Sequence, residues 1–139
     1  MRVVALGEAW QRMDADKPLG DIGERALVAN LRARIPQAEG VVIGVGDDAA
    51  AVSTGALTLV TADTLVEGTH FRRAWTPARL LGRKALSINI SDIGAMGGIP
   101  RQAIVSLCLR AETPLGFVDE LYDGMLERAA EVGVSIVGG

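Results

Sequence analysis

The chain has 139 residues, with 14 Lys and Arg against 17 Asp and Glu, so its formal net charge is −3. That length suits one ordinary domain, and 49% hydrophobic residues are enough to bury a sizeable core. The weak negative charge and the 4% aromatic content argue against a general nucleic-acid binder, and a single histidine with a single cysteine excludes the usual zinc enzymes.

The start of the chain shows little regular pattern. Residues 1–10 lack the features of a signal peptide, and the chain has no run of about 18 apolar residues that would span a membrane. Residues 11–20 are polar and end in Pro and Gly, so we predict a flexible extension over 1–20 and a domain over 21–139. The lone thiol suits a reducing compartment, and we expect a cytoplasmic protein.

Helical periodicity marks the first element of the domain. Apolar residues at helical spacing predict a helix over 22–34, with Asp21 as its N-cap and Pro36 as its stop. Short apolar runs separated by turns then predict strands rather than a long helix, at 41–43, 49–52 and 57–64.

The second half of the chain is more regular. Thr76-Pro77 is a typical helix start, and this helix is expected to reach Met96, before the breaker Gly-Gly-Ile-Pro. Three further elements are predicted, a strand at 103–109, an amphipathic helix at 115–132 and a strand at 134–137. With antiparallel pairing early in the chain, this order predicts an α+β domain.

The C-terminal residues stay apolar to the end. The last predicted strand leads directly into Gly138-Gly139, with no closing helix or polar tail. We therefore expect a segment of a larger protein, and we expect part of the apolar surplus to meet a partner surface.

A glycine-containing turn follows the first predicted strand. The sequence Gly-Val-Gly-Asp-Asp-Ala at 44–49 satisfies the dinucleotide-binding pattern G-x-G-x-x-A. That pattern needs a helix facing the pyrophosphate, whereas only four residues separate Asp48 from the next turn. Two carboxylates would also repel a bare phosphate, although a divalent cation between them would remove that repulsion. We therefore reject a dinucleotide fingerprint, and a P-loop is absent as well.

Aspartates stand where the pattern predicts an apolar environment. Asp63 ends an alternating run that places it on an apolar face. On the predicted helix ending near Met96, Asn89 and Asp92 lie three residues apart within the apolar arc. A buried carboxylate is costly unless it is paired, hydrogen-bonded or bound to a metal.

Together with Asp47 and Asp48, these carboxylates predict a site for a hard cation, Mg²⁺ or Ca²⁺. We favour Mg²⁺ with a nucleotide, because the ligands are few and scattered and no calcium-loop motif occurs. For Asp92 alone the alternative is a structural role, capping a turn or pairing with Arg83.

Other single residues carry weaker signals. His70 lies in a loop, where a functional role competes with a plain surface position. Cys108 lies among apolar strand residues and Met96 follows helical spacing, so both are expected in the core. Trp10 and Trp75 are either interface anchors or residues without a special role.

Three longer stretches occur in a fixed order along the chain. They run from Gly44 to Val52 (GVGDDAAAV), from Thr61 to Phe71 (TADTLVEGTHF) and from Lys84 to Pro100 (KALSINISDIGAMGGIP). In this order and spacing they resemble the thiamine-monophosphate kinase family. Gly138-Gly139 resembles the start of that family's Gly-Gly-Asp-Thr segment, so the resemblance covers residues 21–139.

The resemblance implies a fold and an activity. The fold is an α+β domain like the N-terminal domain of aminoimidazole ribonucleotide synthetase, with a mostly antiparallel sheet and helices on one face. Two copies pair their sheets in a homodimer, with ATP in the cleft. The implied reaction transfers the γ-phosphoryl group of ATP to thiamine monophosphate with two or more Mg²⁺ ions. The isolated chain is expected to be inactive, because a second domain completes the substrate pocket.

The same resemblance implies roles for single residues, and it names no residue as a catalytic acid or base. His70 matches a position near the substrate. Lys84 and Gly139 are expected at the nucleotide. Ala62 matches a metal-binding position through its backbone carbonyl, and the side chains expected to bind Mg²⁺ are Asp47, Asp48, Thr61, Asp63 and Asp92.

Two alternatives stay open beside this function. The first is another ATP-using enzyme of the same superfamily, of the aminoimidazole ribonucleotide or selenophosphate synthetase type. The latter usually carries a reactive cysteine near its N-terminus, whereas Cys108 lies far along this chain. The second is a non-catalytic dimerisation module that binds a metal or a nucleotide.

Overall fold

The computed structural model of the chain describes residues 15–36, 40–45, 51–54 and 58–139. Helices and short strands alternate along it, in agreement with the predicted α+β class. In chain order the elements are α1 (Leu19–Ile22), α2 (Glu24–Arg34), β1 (Val41–Ile43), β2 (Ala51–Val52), α3 (Ala78–Ala95), β3 (Gln102–Ile104), α4 (Leu115–Val132) and β4 (Ser135–Gly138).

The three long helices agree closely with the sequence pattern. Helix α2 begins two residues later than predicted, because Gly23 at φ 79° separates it from the short α1. A proline precedes both α3 and α4, where its fixed φ favours the turn into a helix. Helix α4 ends at Gly133, whose left-handed conformation closes the last turn.

Strand β1 has the predicted bounds and β4 is shifted by one residue, whereas two other predicted strands are shortened or absent. β1 and β2 pair antiparallel, with Val41 opposite Val52, whereas β3 and β4 pair parallel, with Ala103 opposite Ile136. β3 ends at Ile104 rather than at residue 109, and residues 58–64 form no strand. The described strands thus form two small pairs, and a mostly antiparallel sheet with helices on one face stays a prediction.

Part of the predicted N-terminal extension is attached to the loop before α4. The backbone N–H of Leu19 donates to the carbonyl of Thr113 at 3.1 Å, and that of Leu115 donates to the carbonyl of Lys17 at 3.0 Å. Residues 1–14 lie outside the described ranges. The boundary at residue 21 therefore stays a prediction.

Helices α3 and α4 cross at two glycines. A Cβ added to Gly82 would lie 1.9 Å from the carbonyl oxygen of Leu121, and one added to Gly124 would lie 1.9 Å from that of Arg79. Separations below about 3 Å between such atoms do not occur in real structures, so each glycine admits the backbone of the other helix. The two helices can approach this closely only because both positions lack a side chain.

The core surrounds this crossing. On α4 the buried residues recur three and four apart, which is the spacing of one helix face. Helices α2 and α3, strand β4 and the residue just before β4 contribute the remaining members. The buried apolar cluster comprises Leu31, Leu81, Leu86, Val118, Leu121, Tyr122, Met125, Ala129, Val134 and Ile136.

An ion-pair group attaches α2 to α4. Arg34 at the end of α2 donates to Asp119 at 2.8 Å and also to Asp123. The Arg34 side chain is only 10% exposed, so both carboxylates compensate a nearly buried charge. Across α3 and α4, the more exposed pairs are Arg79 with Glu127 and Arg83 with Glu131.

Two residues expected in the core lie on the surface. Met96 is 74% exposed, because it follows the last residue of α3, beyond the crossing with α4. Cys108 is also exposed, because β3 ends before it and no strand pairing covers it. Among the described residues, no helix is both long and apolar enough to cross a membrane.

The crossing of α3 and α4 makes a stability prediction. Gly82→Ala and Gly124→Ala should each lower the free energy of unfolding by about 1–3 kcal/mol, because the new methyl group overlaps the backbone of the opposite helix. Urea unfolding followed by circular dichroism measures the change.

Gly94→Ala is the matched control. Gly94 lies in the same helix as Gly82, but among the described residues no heavy atom outside the adjoining helix backbone lies within 4 Å of its added Cβ. Alanine there should leave stability unchanged or raise it by up to about 1 kcal/mol. Equal losses in all three variants would contradict the close-crossing explanation.

Candidate functional site

The C-terminal half of α3 is hydrogen-bonded to the segment 61–63, which precedes the loop that contains His70. The Thr61 hydroxyl donates to Asp92 Oδ2 at 3.0 Å. Two residues later, the backbone N–H of Asp63 donates to Asn89 Oδ1 at 3.0 Å. Residues 31 and 26 positions apart in the sequence are therefore brought together along one helix.

Three of the predicted ligands thus form a cluster at α3, in which Asp92 lies on the helix, Thr61 bonds to it by its hydroxyl and Asp63 is attached by its backbone N–H. Ala62 lies between the two attached residues. Asp47 and Asp48 lie outside the described residues, so the structure places neither of them. The assignment of all these positions to Mg²⁺ stays a prediction.

The burial that first drew attention to these carboxylates is absent. Asp63 and Asp92 are both exposed, and only Thr61 and Asn89 are half-buried. The expectation of carboxylates on a buried face is therefore wrong for this chain, because the apolar arc of α3 is covered only near its N-terminal half, at Ala78, Leu81 and Leu86.

The alternative that Asp92 pairs with Arg83 is also wrong. Arg83 donates to Glu131 on α4 at 2.8 Å and lies near Glu127, so its charge is directed away from Asp92. Asp92 accepts the Thr61 hydroxyl instead. The contact connects two predicted ligands with each other.

The electrostatics of the cluster favour a cation. Asp92 lies in the last turn of α3, where the helix dipole places partial negative charge, and this turn carries no basic residue. Hydroxyl and carboxylate oxygens are the donors that Mg²⁺ prefers. The residues present therefore fit a hard divalent cation in their chemistry, although no three His, Cys, Asp or Glu side chains within the described ranges lie close enough to form a metal site.

The loop at 66–71 is closed by bonds to His70. The backbone N–H of Val66 donates to His70 Nδ1 at 3.0 Å, and the N–H of His70 donates to the Val66 carbonyl at 2.9 Å. Because Nδ1 accepts a hydrogen bond, the neutral imidazole carries its proton on Nε2. The exposed side chain can therefore donate a hydrogen bond from Nε2 to a bound molecule.

Lys84 attaches this loop to α3. Its Nζ donates to the backbone carbonyl of His70 at 2.9 Å. The residue expected at the nucleotide is thus found against the residue expected at the substrate. Residue type and spacing do not indicate this contact, because the acceptor is a backbone atom 14 positions earlier.

An ion pair within the same region also supports the loop. Arg73 donates to both carboxylate oxygens of Glu67, at 3.0 and 2.9 Å, and these bonds hold the pKa of Glu67 below its usual value. The Arg73 guanidinium also lies 5.7 Å from the ring centre of Phe117 on α4. Sequence inspection singled out neither residue, because each belongs to a common surface type.

Gly139 lies at the end of β4. Its φ is +121°, and an added Cβ would lie 1.7 Å from the carbonyl oxygen of Val105. Only glycine fits there, because β4 passes close to the backbone that follows β3. Its predicted contact with a nucleotide is not tested by this geometry. Trp75, left open as an anchor, is 78% exposed and stacks with Arg72.

Comparison with known proteins gives a family. The family model described as AIR synthase related protein, N-terminal domain, matches residues 46–139. The thiamine-monophosphate kinase of Mycobacterium tuberculosis is 42% identical over 122 residues, which cover 87% of this chain and 37% of that protein. The thiamine-monophosphate kinase of Bacillus subtilis is 36% identical over 115 residues, covering 81% of this chain and 35% of that protein.

A solved structure agrees with these relatives. The crystal structure of thiamine-monophosphate kinase from Stenotrophomonas maltophilia K279a matches with a TM-score of 0.62 at 33% identity. The match covers 81% of this chain and 36% of that chain. These comparisons confirm the resemblance noted in the sequence, and the chain spans little more than a third of the length of these relatives.

The Lys84 contact yields a prediction about the His70 loop. Lys84→Met removes one hydrogen bond, so amide hydrogen exchange at residues 66–71 should become about two- to tenfold faster. Mass spectrometry after exchange measures the change.

Arg83→Met is the control, because the neighbouring Arg83 pairs with α4 and makes no bond to this loop among the described contacts. It should leave exchange at 66–71 unchanged. Unchanged exchange in Lys84→Met would show that the loop does not depend on this bond.

Proposed function

The chain belongs to the AIR synthase related family, matching its N-terminal domain, and we propose that it forms the nucleotide- and metal-binding part of a thiamine-monophosphate kinase. The observation that carries this proposal is the attachment of the segment with Thr61 and Asp63 to α3, through Asp92 and Asn89. The similar proteins support it, because they are thiamine-monophosphate kinases and their matches cover most of this chain.

The proposed reaction moves the γ-phosphoryl group of ATP onto a phosphate oxygen of thiamine monophosphate, giving thiamine diphosphate and ADP. When bound, Mg²⁺ would offset the negative charge on the attacking and leaving oxygens. The attacking group is a phosphate whose second pKa is about 6, so it is largely ionised near neutral pH. A strong general base is therefore unnecessary, which suits a chain with one histidine.

Each side chain then has a defined task. Thr61, Asp63 and Asp92 hold Mg²⁺ together with Asp47, Asp48 and the backbone carbonyl of Ala62. His70 donates from Nε2 to the phosphate of the substrate, because its Nδ1 is occupied by the Val66 N–H. Lys84 and Gly139 lie at the nucleotide, and Lys84 also holds the His70 loop.

We further propose that two copies form a homodimer through the β1–β2 side of the domain. A two-stranded ribbon is marginally stable in water, yet β1 exposes Val42 at 74% and Ile43 at 44%. Val60 and Ile104 are exposed as well. Pairing with a second copy would cover these side chains and build the mostly antiparallel sheet that the resemblance implies. A cytoplasmic location, which suits the lone thiol, is part of the same proposal.

Activity of the full-length protein tests the kinase function. With ATP and Mg²⁺ it should convert thiamine monophosphate to thiamine diphosphate, measured by chromatography of the thiamine products. Asp63→Asn and Asp92→Asn should each lower kcat/KM by about 100-fold or more, because a charged oxygen donor is lost from the metal site.

Glu131→Gln is the matched control, since it removes a carboxylate whose partners are the surface residues Arg83 and Arg128. It should change kcat/KM less than about twofold, as exposed ion pairs contribute little. If the wild-type protein forms no thiamine diphosphate, the proposed function is wrong.

The molecular mass of the protein in solution tests the proposed dimer. Wild-type protein should sediment as a dimer in analytical ultracentrifugation, and Val42→Lys should shift it toward the monomer, because a charge is placed in the proposed interface. Trp75→Lys changes a side chain of similar exposure outside the strands and should leave the mass unchanged. A monomeric wild type would contradict the proposed pairing.

A further inference from the structure

Asn89 joins α3 to the backbone of Asp63. Its Oδ1 accepts a hydrogen bond from the Asp63 N–H at 3.0 Å, and its Nδ2 donates to the carbonyl of Ala85 at 3.0 Å. The side chain is half-buried. Both polar ends of the amide thus have a partner, one in its own helix and one in the segment that carries a predicted metal ligand.

These two bonds select one orientation of the amide. Turning it by 180° would place Nδ2 against the Asp63 N–H, and Oδ1 against the Ala85 carbonyl. Both contacts would then join like groups, donor to donor and acceptor to acceptor. An asparagine offers one donor and one acceptor at this length, whereas aspartate offers only acceptors and leucine offers neither.

The Asp63 segment is therefore attached to α3 at two points. Asn89 holds the backbone of Asp63, and Asp92 holds the Thr61 hydroxyl two positions earlier. On the helix, positions 89 and 92 are neighbours on one face. Two attachments fix the direction of a short segment as well as its position, so the backbone at Asp63 has a defined place relative to Asp92.

We propose that Asn89 is a positioning residue for Asp63, which keeps this carboxylate in place for Mg²⁺ and touches neither metal nor substrate itself. The inference rests on the proposed function, because it assumes that Asp63 and Asp92 bind the metal. Groups that orient metal ligands typically change metal affinity by about 10–100-fold when they are removed.

Two substitutions in the full-length protein separate the effect of the hydrogen bonds from the effect of side-chain size. Asn89→Leu keeps the size of the side chain and removes both hydrogen bonds. Asn89→Asp keeps an acceptor for the Asp63 N–H and loses only the donor to Ala85. Asn30→Leu is the control, because it makes the same change at a half-buried asparagine of α2 whose Nδ2 has no hydrogen-bond partner.

The first readout is hydrogen exchange at the Asp63 amide, followed by NMR or by fragment mass spectrometry. Exchange should become about tenfold faster in Asn89→Leu and stay close to the wild-type rate in Asn89→Asp and Asn30→Leu, because only the first variant removes the acceptor. This readout is independent of any bound metal.

The second readout is the Mg²⁺ concentration that half-saturates binding of a non-hydrolysable ATP analogue, measured by calorimetry. It should rise about tenfold in Asn89→Leu and stay within about threefold of wild type in Asn89→Asp. In activity assays, kcat should fall in Asn89→Leu while KM for thiamine monophosphate stays within about twofold, because the substrate contacts are untouched.

The outcomes distinguish the inference from the function beneath it. Analogue binding by the wild type that does not depend on Mg²⁺ would overturn the proposed function, and the positioning inference with it, even if the Asp63 amide responds as expected. Mg²⁺-dependent binding that Asn89→Leu leaves unchanged would overturn the positioning inference alone. Equal loss of Mg²⁺ dependence in Asn89→Asp, with the Asp63 amide still protected, would also overturn it. If Asn89→Leu does not fold, Asn89→Ala, which also removes the acceptor of the Asp63 N–H, takes its place under the same criteria.

Discussion

The close crossing of α3 and α4 at Gly82 and Gly124 is the contact on which the rest of the structure depends. Each helix backbone occupies the space where the other would carry a side chain. This fixes α3 against the core from its N-terminal half, while its C-terminal half extends to the polar residues that hold other segments. The scaffold and the candidate site therefore share one helix, whose first half is buried against the core and whose second half is only partly covered.

Local patterns determined the helices well. Proline before Ala78 and Leu115, with glycine after Val132, punctuates α3 and α4 so clearly that periodicity and breakers give their bounds within a residue or two. Strands depend on partners far away in the chain, and this explains why the run at 103–109 forms a strand only where β4 lies beside it. An apolar run shows that a strand is favourable, but it does not show where pairing stops.

The sequence pattern predicted which residues belong to the site better than it predicted their burial and their hydrogen-bond partners. Helical spacing correctly placed Asn89 and Asp92 on one face, and it correctly identified that face as mostly apolar. It could not show how far the described part of the chain covers that face, and there Asp92 and Met96 are exposed, so their expected burial was wrong. The bonds of Asn89 and Lys84 to distant backbone atoms leave no trace in residue type or spacing, although an amide within an apolar arc does indicate a group that needs partners.

Helix α3 also sets the distance between two parts of the candidate site. Lys84 and Asp92 stand eight positions apart on it, which corresponds to about 12 Å along a helix axis. The anchor of the His70 loop and the anchor of the Thr61 hydroxyl are therefore kept at a constant separation by hydrogen bonds within the helix backbone. Insertion of one residue between them would turn one anchor by about 100° relative to the other and would separate the two ends of the site without altering any of its side chains.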